Sequence, residues 1–136
     1  MNTIARTPRI FMVDDEPDFL IVTRSWLQPR YDLYAFGDGE GLLSNVDALK
    51  PDLLILDVWL PGRDGFALCR EIALERRYRF LPILFLTACE GPSYFAKGVA
   101  SGGTSWMTKP VGREELLAKI EEMLAAPRQT LTGMGL

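Results

Sequence analysis

The sequence predicts an α/β domain in which one parallel β-sheet is covered by helices on both faces. The prediction depends on three short apolar segments, residues 10–13, 53–56 and 83–86. None of them alternates with polar residues, so both faces of these strands are expected to be buried. Helical patterns lie between the segments, and strands that alternate with helices are typical of a parallel sheet with right-handed crossovers.

Two weaker segments complete the predicted sheet. Residues 31–36 are expected to form an outer strand, and residues 104–108 a further strand near the end of the chain. Both are less apolar than the three central segments. With them, the chain alternates between strand and helix five times, which predicts three layers with the sheet in the middle.

The first two helices are predicted from apolar spacing and from prolines. Pro17 suits the first turn of a helix, because the N–H that proline lacks would have no intrahelical partner there. The apolar residues that follow recur at helical spacing and predict a buried face formed by Phe19, Val22 and Trp26. Residues 39–49 are a plausible second helix, which Pro51 ends.

Three more helices are predicted in the second half of the chain. One begins near Asp64 and has an apolar face formed by Phe66, Cys69 and Ile72. The next, residues 93–102, is the weakest, because Gly98 and Gly102 each cost about 1 kcal/mol relative to alanine. The last helix has an apolar stripe formed by Leu116, Leu117, Ile120 and Leu124.

The composition limits the kind of chemistry that the chain can perform. Its 136 residues are enough for one ordinary domain, and a net charge of −3 argues against direct binding to nucleic acid or to an anionic membrane. The chain has no histidine, which excludes any mechanism that needs an imidazole from this chain. Only two cysteines, and neither a secretory signal nor a long apolar segment, predict a cytoplasmic protein.

Polar side chains follow most of the predicted strands at the point where each strand ends. Because ligands of such sheets bind outside the carboxyl ends of the strands, these residues are the candidates for a functional site. They are Asp14, Asp15 and Glu16 after the first strand, Asp57 after the third, Thr87 after the fourth and Lys109 after the fifth.

This set of residues predicts a magnesium site that can accept a phosphoryl group. Asp14, Asp15 and Asp57 would repel one another without a cation, and oxygen ligands with room for water favour Mg²⁺ over Zn²⁺. A carboxylate beside Mg²⁺ and a lysine can accept a phosphoryl group, because that transfer needs mainly positioning and charge neutralisation. Thr87 and Lys109 are suitable partners for phosphoryl oxygens.

Four motifs give the chain a resemblance to a known family. They are Val-Asp-Asp-Glu at 13–16, Leu-Asp-Val-Trp-Leu-Pro-Gly-Arg-Asp-Gly at 56–65, Leu-Thr-Ala at 86–88 and Trp-Met-Thr-Lys-Pro at 106–110. In this order and spacing, over roughly residues 8–126, they resemble the receiver domain of two-component response regulators. The resemblance implies a flavodoxin-like, doubly wound sheet of five parallel strands in the order 2-1-3-4-5 with five helices.

The resemblance also implies a role for each carboxylate of the site. Asp57 would be the phosphoacceptor, and Asp15 and Asp57 would bind Mg²⁺ directly together with the backbone carbonyl of Trp59. Asp14 would act through a metal-bound water. The Trp59 side chain lies at a position that tunes dephosphorylation in this family, and we expect it to shield the acyl phosphate from water.

The remaining implied roles concern phosphate binding and the response to it. Lys109 would pair with Asp57 at rest and with the phosphoryl group after transfer, and the bond between Lys109 and Pro110 would be cis. Thr87 would turn its hydroxyl towards a phosphoryl oxygen, and Trp106 would move inward with it as the switch aromatic. The surface that switches would include the fourth helix, the fifth strand and the last helix.

The predicted organisation is an N-terminal extension (1–8), a receiver domain (9–126) and a C-terminal tail or linker (127–136). The tail is too short for a DNA-binding domain, so we expect a stand-alone receiver or a piece of a longer regulator or hybrid kinase.

A sensor histidine kinase or a histidine phosphotransfer protein would supply the phosphoryl group. A downstream effector or a fused output domain would respond to it, and a homodimer is a further possible partner. The resemblance implies a regulatory domain with self-catalysed phosphotransfer and slow autodephosphorylation, not an enzyme acting on other substrates.

Three alternatives compete with this interpretation. A degenerate receiver would bind partners without phosphorylation, although the acidic residues, Thr87 and Lys109 argue against it. An aspartate-nucleophile phosphatase usually has a second aspartate two residues after the nucleophile, where this chain has Trp59. A flavodoxin-like cofactor binder needs a phosphate loop, and the glycines of residues 37–41 lack the full pattern for one. Each candidate residue, taken alone, is also compatible with an ordinary structural role.

Overall fold

The computed structural model describes residues 6–126 and contains a parallel sheet flanked by helices. Residues 1–5 of the predicted N-terminal extension and the predicted tail at 127–136 lie outside the described residues. The strands are β1 (Arg9–Val13), β2 (Asp32–Phe36), β3 (Leu53–Leu56), β4 (Ile83–Thr87) and β5 (Ser105–Thr108). The helices are α1 (Pro17–Leu27), α2 (Leu42–Leu49), α3 (Gly65–Ala73), α4 (Pro92–Ser101) and α5 (Arg113–Ala125), and a short 3-10 helix (Arg76–Tyr78) follows α3.

The strand order is β2-β1-β3-β4-β5 and the pairings between neighbours are parallel. This confirms the predicted doubly wound, flavodoxin-like fold. The register brings the carboxyl ends of the strands to the same edge, because Val13 pairs with Leu56 and Thr87 pairs with Thr108. The residues that follow β1 and β3, Asp14 and Asp57, are therefore neighbours across the sheet.

Each face of the sheet has its own hydrophobic core. One cluster combines alternate strand residues, such as Phe11 and Val13, with apolar residues of α2 and α3. The other combines the intervening strand residues, such as Ile10 and Met12, with apolar residues of α1 and α5. The three central strands are thus buried on both faces, as their unbroken apolar sequences predict.

The buried face of α1 differs from the prediction by one residue. Val22, which was expected to face the core, is 43% exposed, whereas Thr23 is completely buried. The Thr23 hydroxyl donates a hydrogen bond to the carbonyl oxygen of Phe19 at 2.8 Å, one turn earlier. A threonine whose hydroxyl is satisfied within its own helix can replace a hydrocarbon in the core, and hydrophobic spacing alone does not detect this.

Two helix starts show how local residues determine helix boundaries. The second helix was expected from residue 39 but begins at Leu42, because Gly41 adopts the left-handed region with φ of 69°. The third helix begins where predicted. There, the Asp64 carboxylate accepts a hydrogen bond from the backbone N–H of Ala67 at 2.8 Å. Within residues 6–126, we find no helix with the length and apolar character needed to cross a membrane.

Candidate functional site

Asp57 lies at the carboxyl end of β3, and its side chain is almost fully buried. Its Oδ1 atom accepts hydrogen bonds from the backbone N–H groups of Val58 at 2.7 Å and of Trp59 at 3.4 Å. Its Oδ2 atom lies 3.2 Å from the Lys109 ammonium. The carboxylate therefore has one oxygen held by the following turn and the other directed at a cation.

The turn after Asp57 is closed by a close approach of α3. The backbone N–H of Gly65 donates to the carbonyl oxygen of Val58 at 2.8 Å. A Cβ atom on Gly65 would lie 2.1 Å from the backbone oxygen of Asp57, far inside van der Waals contact. Residue 65 is therefore glycine for a steric reason, and that glycine helps to define the position of Asp57.

Asp14 follows β1 and is 2% exposed. Its Oδ1 atom accepts a hydrogen bond from the backbone N–H of Glu16 at 2.9 Å, and its Oδ2 atom lies 2.7 Å from the Lys109 ammonium. Burial raises the pKa of the Asp14 carboxyl above its usual value, although the bonds from Lys109 and the Glu16 N–H oppose that rise. The site thus contains a buried carboxylate that depends on a nearby cation.

The ammonium of Lys109 lies between the carboxylates and contacts a third one, Glu16, at 2.6 Å. It also lies 4.5 Å from the centre of the Phe19 ring, within the range of a cation–π contact. Burial opposes the charged form of Lys109, but the hydrogen bonds to Asp14 and Glu16 outweigh burial and raise the pKa of this lysine above its ordinary value. Lys109 is therefore a fixed positive charge at this edge of the sheet.

Three carboxylates form an acidic cluster at this edge of the sheet, and two of them, Asp14 and Asp57, were predicted as magnesium ligands. One carboxylate oxygen each of Asp14, Glu16 and Asp57 lies within 4.8 Å of the others. Asp15, the expected direct magnesium ligand, is exposed, and it is not a member of this cluster as the structure places residues 6–126. Glu16 is one of the candidates that follow the first predicted strand, but no metal-binding or phosphate-binding role was predicted for it.

The donor atoms of this cluster fit a hard divalent cation. All of them are carboxylate oxygens, and the backbone of Trp59 adjoins them through its N–H contact with Asp57. Such oxygen donors suit Mg²⁺, which keeps several waters in most protein sites and needs few protein ligands. The Lys109 ammonium shows that a positive charge is already stable at this position.

Thr87 lies at the end of β4 and its side chain is completely buried. Its hydroxyl oxygen accepts a hydrogen bond from the backbone N–H of Cys89 at 3.3 Å. Through the pairing of β4 with β5, Thr87 lies next to Thr108, one residue before Lys109. The structure therefore connects the hydroxyl to the loop after β4 and to the strand that carries the lysine.

The Trp106 side chain of β5 is half-buried and packs against aromatic residues on the α3 and α4 side. Its ring lies 5.4 Å from Phe85 and 6.3 Å from Phe66 and from Phe95, measured between ring centres. Gly98 makes this position possible, because a Cβ atom there would lie 2.9 Å from Cζ3 of the indole. The glycine that weakens α4 thus creates the space that the large indole occupies.

Two further predicted features are seen next to the acidic cluster. The Trp59 side chain is 57% exposed and meets the Tyr94 ring edge-to-face at 6.3 Å. The peptide bond between Lys109 and Pro110 is cis.

The glycines of residues 37–41 form a turn before α2, as expected for a helix start.

Comparison with protein families gives a match over most of the chain. A family model described as the response regulator receiver domain matches residues 10–121. This range includes the four sequence motifs and every predicted site residue, from Asp14 to Pro110.

Curated and structural relatives agree with the family match. The transcriptional regulator RpaA of Synechocystis, described as DNA-binding, is 34% identical over 118 residues, which are 86% of this chain and 49% of the relative. The chain thus spans about half the length of that relative.

Among solved structures, the chemotaxis response regulator CheY4 of Vibrio cholerae is 28% identical with a TM-score of 0.81, covering 87% of this chain and 99% of that one. A putative response regulator of Chloroflexus aurantiacus is 30% identical with a TM-score of 0.83, covering 89% and 100%. The fold, the acidic cluster and these matches lead to one conclusion: the chain belongs to the response regulator receiver domain family.

Proposed function

We propose that this domain is the phosphoacceptor of a two-component phosphorelay and that Asp57 receives the phosphoryl group. The observation that carries the proposal is the Asp57 carboxylate, buried beside Asp14 and within 3.2 Å of the Lys109 ammonium. A carboxylate held between a lysine ammonium and backbone donors is oriented for attack, and the same positive charge neutralises the phosphoryl oxygens that arrive.

The proposal includes Mg²⁺ at the carboxyl ends of β1 and β3, beside the acidic cluster. Asp57 and Asp15 would bind it directly with the backbone carbonyl of Trp59, and Asp14 would bind through a water. When bound, the ion would neutralise charge on the phosphoryl oxygens. The chain itself supplies the oxygen donors, and the Lys109 ammonium, 3.2 Å from the Asp57 carboxylate, supplies a second positive charge.

The transfer step would form one bond and break another. An Asp57 carboxylate oxygen attacks the phosphorus of a partner's phosphohistidine. The P–N bond breaks, and its electron pair stays on the imidazole nitrogen. The product is an acyl phosphate on Asp57, which Lys109 and Thr87 would contact through phosphoryl oxygens. Because this chain has no histidine, the phosphohistidine belongs to another domain or chain.

The response to phosphorylation would pass through Thr87 and Trp106. The Thr87 hydroxyl, whose oxygen accepts a hydrogen bond from the Cys89 N–H, would turn to donate to a phosphoryl oxygen, and that turn would shift the loop between β4 and α4. The Trp106 indole, packed on Gly98 of α4, would follow that shift. The surface of α4, β5 and α5 would then change for a partner, as expected of a two-state regulatory element.

The proposed partners follow from the family and the relatives. A sensor histidine kinase or a histidine phosphotransfer protein would donate the phosphoryl group in the cytoplasm. A downstream effector or a fused output domain would respond, and the α4-β5-α5 surface could join two copies in a homodimer. Direct DNA binding by these residues is not proposed, although the relative RpaA is described as DNA-binding, because the chain covers only about half of it.

Intact mass measurement tests the proposed function. The protein is incubated with acetyl phosphate in the presence and absence of Mg²⁺ and then weighed. We expect the mass to rise by one phosphoryl group with Mg²⁺, and we expect no rise in Asp57→Asn or with a chelator. No adduct in the wild type would instead support a degenerate receiver, and steady release of phosphate from many esters would support a phosphatase.

A further inference from the structure

Lys109 has a carboxylate partner for each of its N–H donors. A lysine ammonium has three donors. In this structure the ammonium contacts Asp14 at 2.7 Å, Glu16 at 2.6 Å and Asp57 at 3.2 Å. A phosphoryl group on Asp57 therefore arrives at an ammonium whose three donors already face carboxylates, and it competes with them for Lys109.

The three partners differ greatly in how easily they can be released. The side chain of Asp14 is 3% exposed, so without Lys109 it would be left as a buried, unpaired charge, and the 7% exposed Asp57 itself carries the phosphoryl group. The side chain of Glu16 is 60% exposed, so water replaces the ammonium when this pair separates. Exposed ion pairs contribute only about 0.2–1 kcal/mol. Glu16 is therefore the partner that the site can lose most easily.

The backbone of Glu16 is anchored although its side chain is free to move. Its N–H donates to Asp14 at 2.9 Å, and its carbonyl oxygen accepts a hydrogen bond from the N–H of Leu20 at 3.1 Å, in the first turn of α1. The centre of the Phe19 ring lies 4.5 Å from the Lys109 ammonium. The Glu16 carboxylate can thus swing into water while Asp14, Lys109 and the start of α1 keep their places.

We infer that Glu16 is a positioning residue that holds Lys109 in the resting state and releases it to the phosphoryl group when Asp57 is phosphorylated. The inference rests on the proposed function, and it adds a residue that the four family-like motifs did not single out for any role. It also predicts a direction: Glu16 stabilises the resting domain and opposes the arrival of an anion, both by its own charge and by its hold on Lys109.

The test uses Glu16→Gln, which keeps the size of the side chain and removes its charge. Beryllofluoride, a mimic of the phosphoryl group, is titrated with saturating Mg²⁺. We expect its half-saturating concentration to fall about two- to five-fold in the variant, as loss of an exposed ion pair predicts. The matched control is Asp18→Asn, which removes the same charge from the first turn of the same helix and should change this concentration less than 1.5-fold.

Three further readouts separate this role from its alternatives. We expect the half-saturating concentration of Mg²⁺, measured by calorimetry, to change less than three-fold in Glu16→Gln. A loss of ten-fold or more would make Glu16 a metal ligand and would overturn the inference. Resting stability should fall slightly while beryllofluoride binds more tightly, whereas a merely structural role predicts that both become weaker. A double-mutant cycle of Glu16→Gln with Lys109→Met, measured on the stability of the resting protein, should give a measurable coupling free energy. A coupling of zero would overturn the inference that Glu16 holds Lys109.

Failure of this inference is distinguishable from failure of the proposed function. If the wild type gains a phosphoryl group but Glu16→Gln and Asp18→Asn bind beryllofluoride alike, the inference is wrong and the function stands. If the wild type gains no phosphoryl group and binds no beryllofluoride, both are wrong.

Discussion

Two neighbouring regions of this domain are held together by different forces. The charged edge, formed by Asp14, Glu16, Asp57 and Lys109, is fixed by short ion pairs and hydrogen bonds between mostly buried groups. The aromatic face, formed by Trp106 with Phe85, Phe95 and Gly98, is held by ring contacts at interplanar angles from 39° to 66° and by a gap that a glycine leaves.

This difference explains how a charge added at the charged edge can lead to a movement at the aromatic face. Directional bonds to buried carboxylates permit few geometries, so the charged edge responds sharply to one added group. Ring contacts permit several arrangements of similar energy, and Gly98 lowers the helix propensity of α4 further. The charged edge is therefore suited to sensing, and the aromatic face is suited to displacement.

Removal of the lysine charge should damage the charged edge most. In Lys109→Met, Asp14 and Asp57 are left buried without a cation, and we expect a loss of about 3–5 kcal/mol in the free energy of unfolding at neutral pH. Urea titration measures this loss. The control Lys119→Met removes a lysine whose partner Glu122 is largely exposed, and it should cost less than about 1 kcal/mol.

The same variant should have a distinctive pH dependence. Burial raises the pKa of Asp14 even when Lys109 is present, and the loss of the lysine raises it further. A carboxyl whose pKa is higher in the folded state stabilises the fold below its unfolded value of about 3.9, and that contribution is lost as the pH rises through the folded value. Lys109→Met should therefore be more stable, relative to wild type, at pH 5 than at pH 8. Equal deficits at both pH values would contradict the account.

A methyl group on Gly65 should displace the acceptor itself. The added Cβ would lie 2.1 Å from the backbone oxygen of Asp57, so Gly65→Ala forces the turn after β3 to move. We expect a loss of about 1–3 kcal/mol in stability and slower phosphorylation by acetyl phosphate. In the control Gly37→Ala, the new Cβ has nothing within 4 Å, and both quantities should stay close to wild type. Unchanged phosphorylation in Gly65→Ala would show that the turn is not rigid.

The aromatic face should rearrange without a large loss of stability. In Gly98→Ala the new Cβ lies 2.9 Å from the Trp106 indole, but alanine favours the helix by about 1 kcal/mol. We expect stability within about 1 kcal/mol of wild type and a more exposed Trp106. Acrylamide quenching of tryptophan fluorescence measures this exposure in a Trp26→Phe, Trp59→Phe background. Unaltered quenching would mean that α4, rather than the indole, moves to make room.

Substitution of Trp59 should change stability least. It should specifically change the lifetime of the phosphorylated form. Its side chain is 57% exposed, so Trp59→Asn should alter stability by less than about 0.5 kcal/mol. If the indole shields the acyl phosphate from water, the phosphorylated form should decay several-fold faster, as followed by intact mass. The control Leu74→Asn changes an apolar residue outside the site that is even more exposed, at 77%, and should leave the lifetime unaltered. An unchanged lifetime in Trp59→Asn would end the shielding hypothesis.

The sheet could be predicted from the sequence because its central strands are unbroken apolar segments. Burial on both faces requires such segments in a parallel sheet, so residues 53–56 were placed without error. The strand order, in contrast, came from the resemblance, because the apolar pattern of a strand does not identify its neighbours. Thr23 was missed because its burial depends on a hydrogen bond within α1, which no hydrophobic pattern contains.

The site could be predicted less completely than the fold. Strand ends predict which residues share an edge, and they brought Asp14, Asp57 and Lys109 together correctly. They do not predict which of three consecutive acidic side chains turns inward, and here Glu16 reaches Lys109 while Asp15 is exposed. Gly98 was predicted as a weak point of α4, but its contact with Trp106 needs the packing of two elements that are not adjacent in sequence.

One measurement tests the central claim, that a charge added at Asp57 is transmitted to the aromatic face. Amide resonances of the wild type are compared by ¹H–¹⁵N NMR with Mg²⁺ alone and with Mg²⁺ plus beryllofluoride, and Asp57→Asn serves as the control that should not respond. The account predicts shifts that extend from Asp57 through Thr87 to Gly98 in α4 and Trp106 in β5. Shifts confined to residues 57–62, around the acceptor, would contradict it.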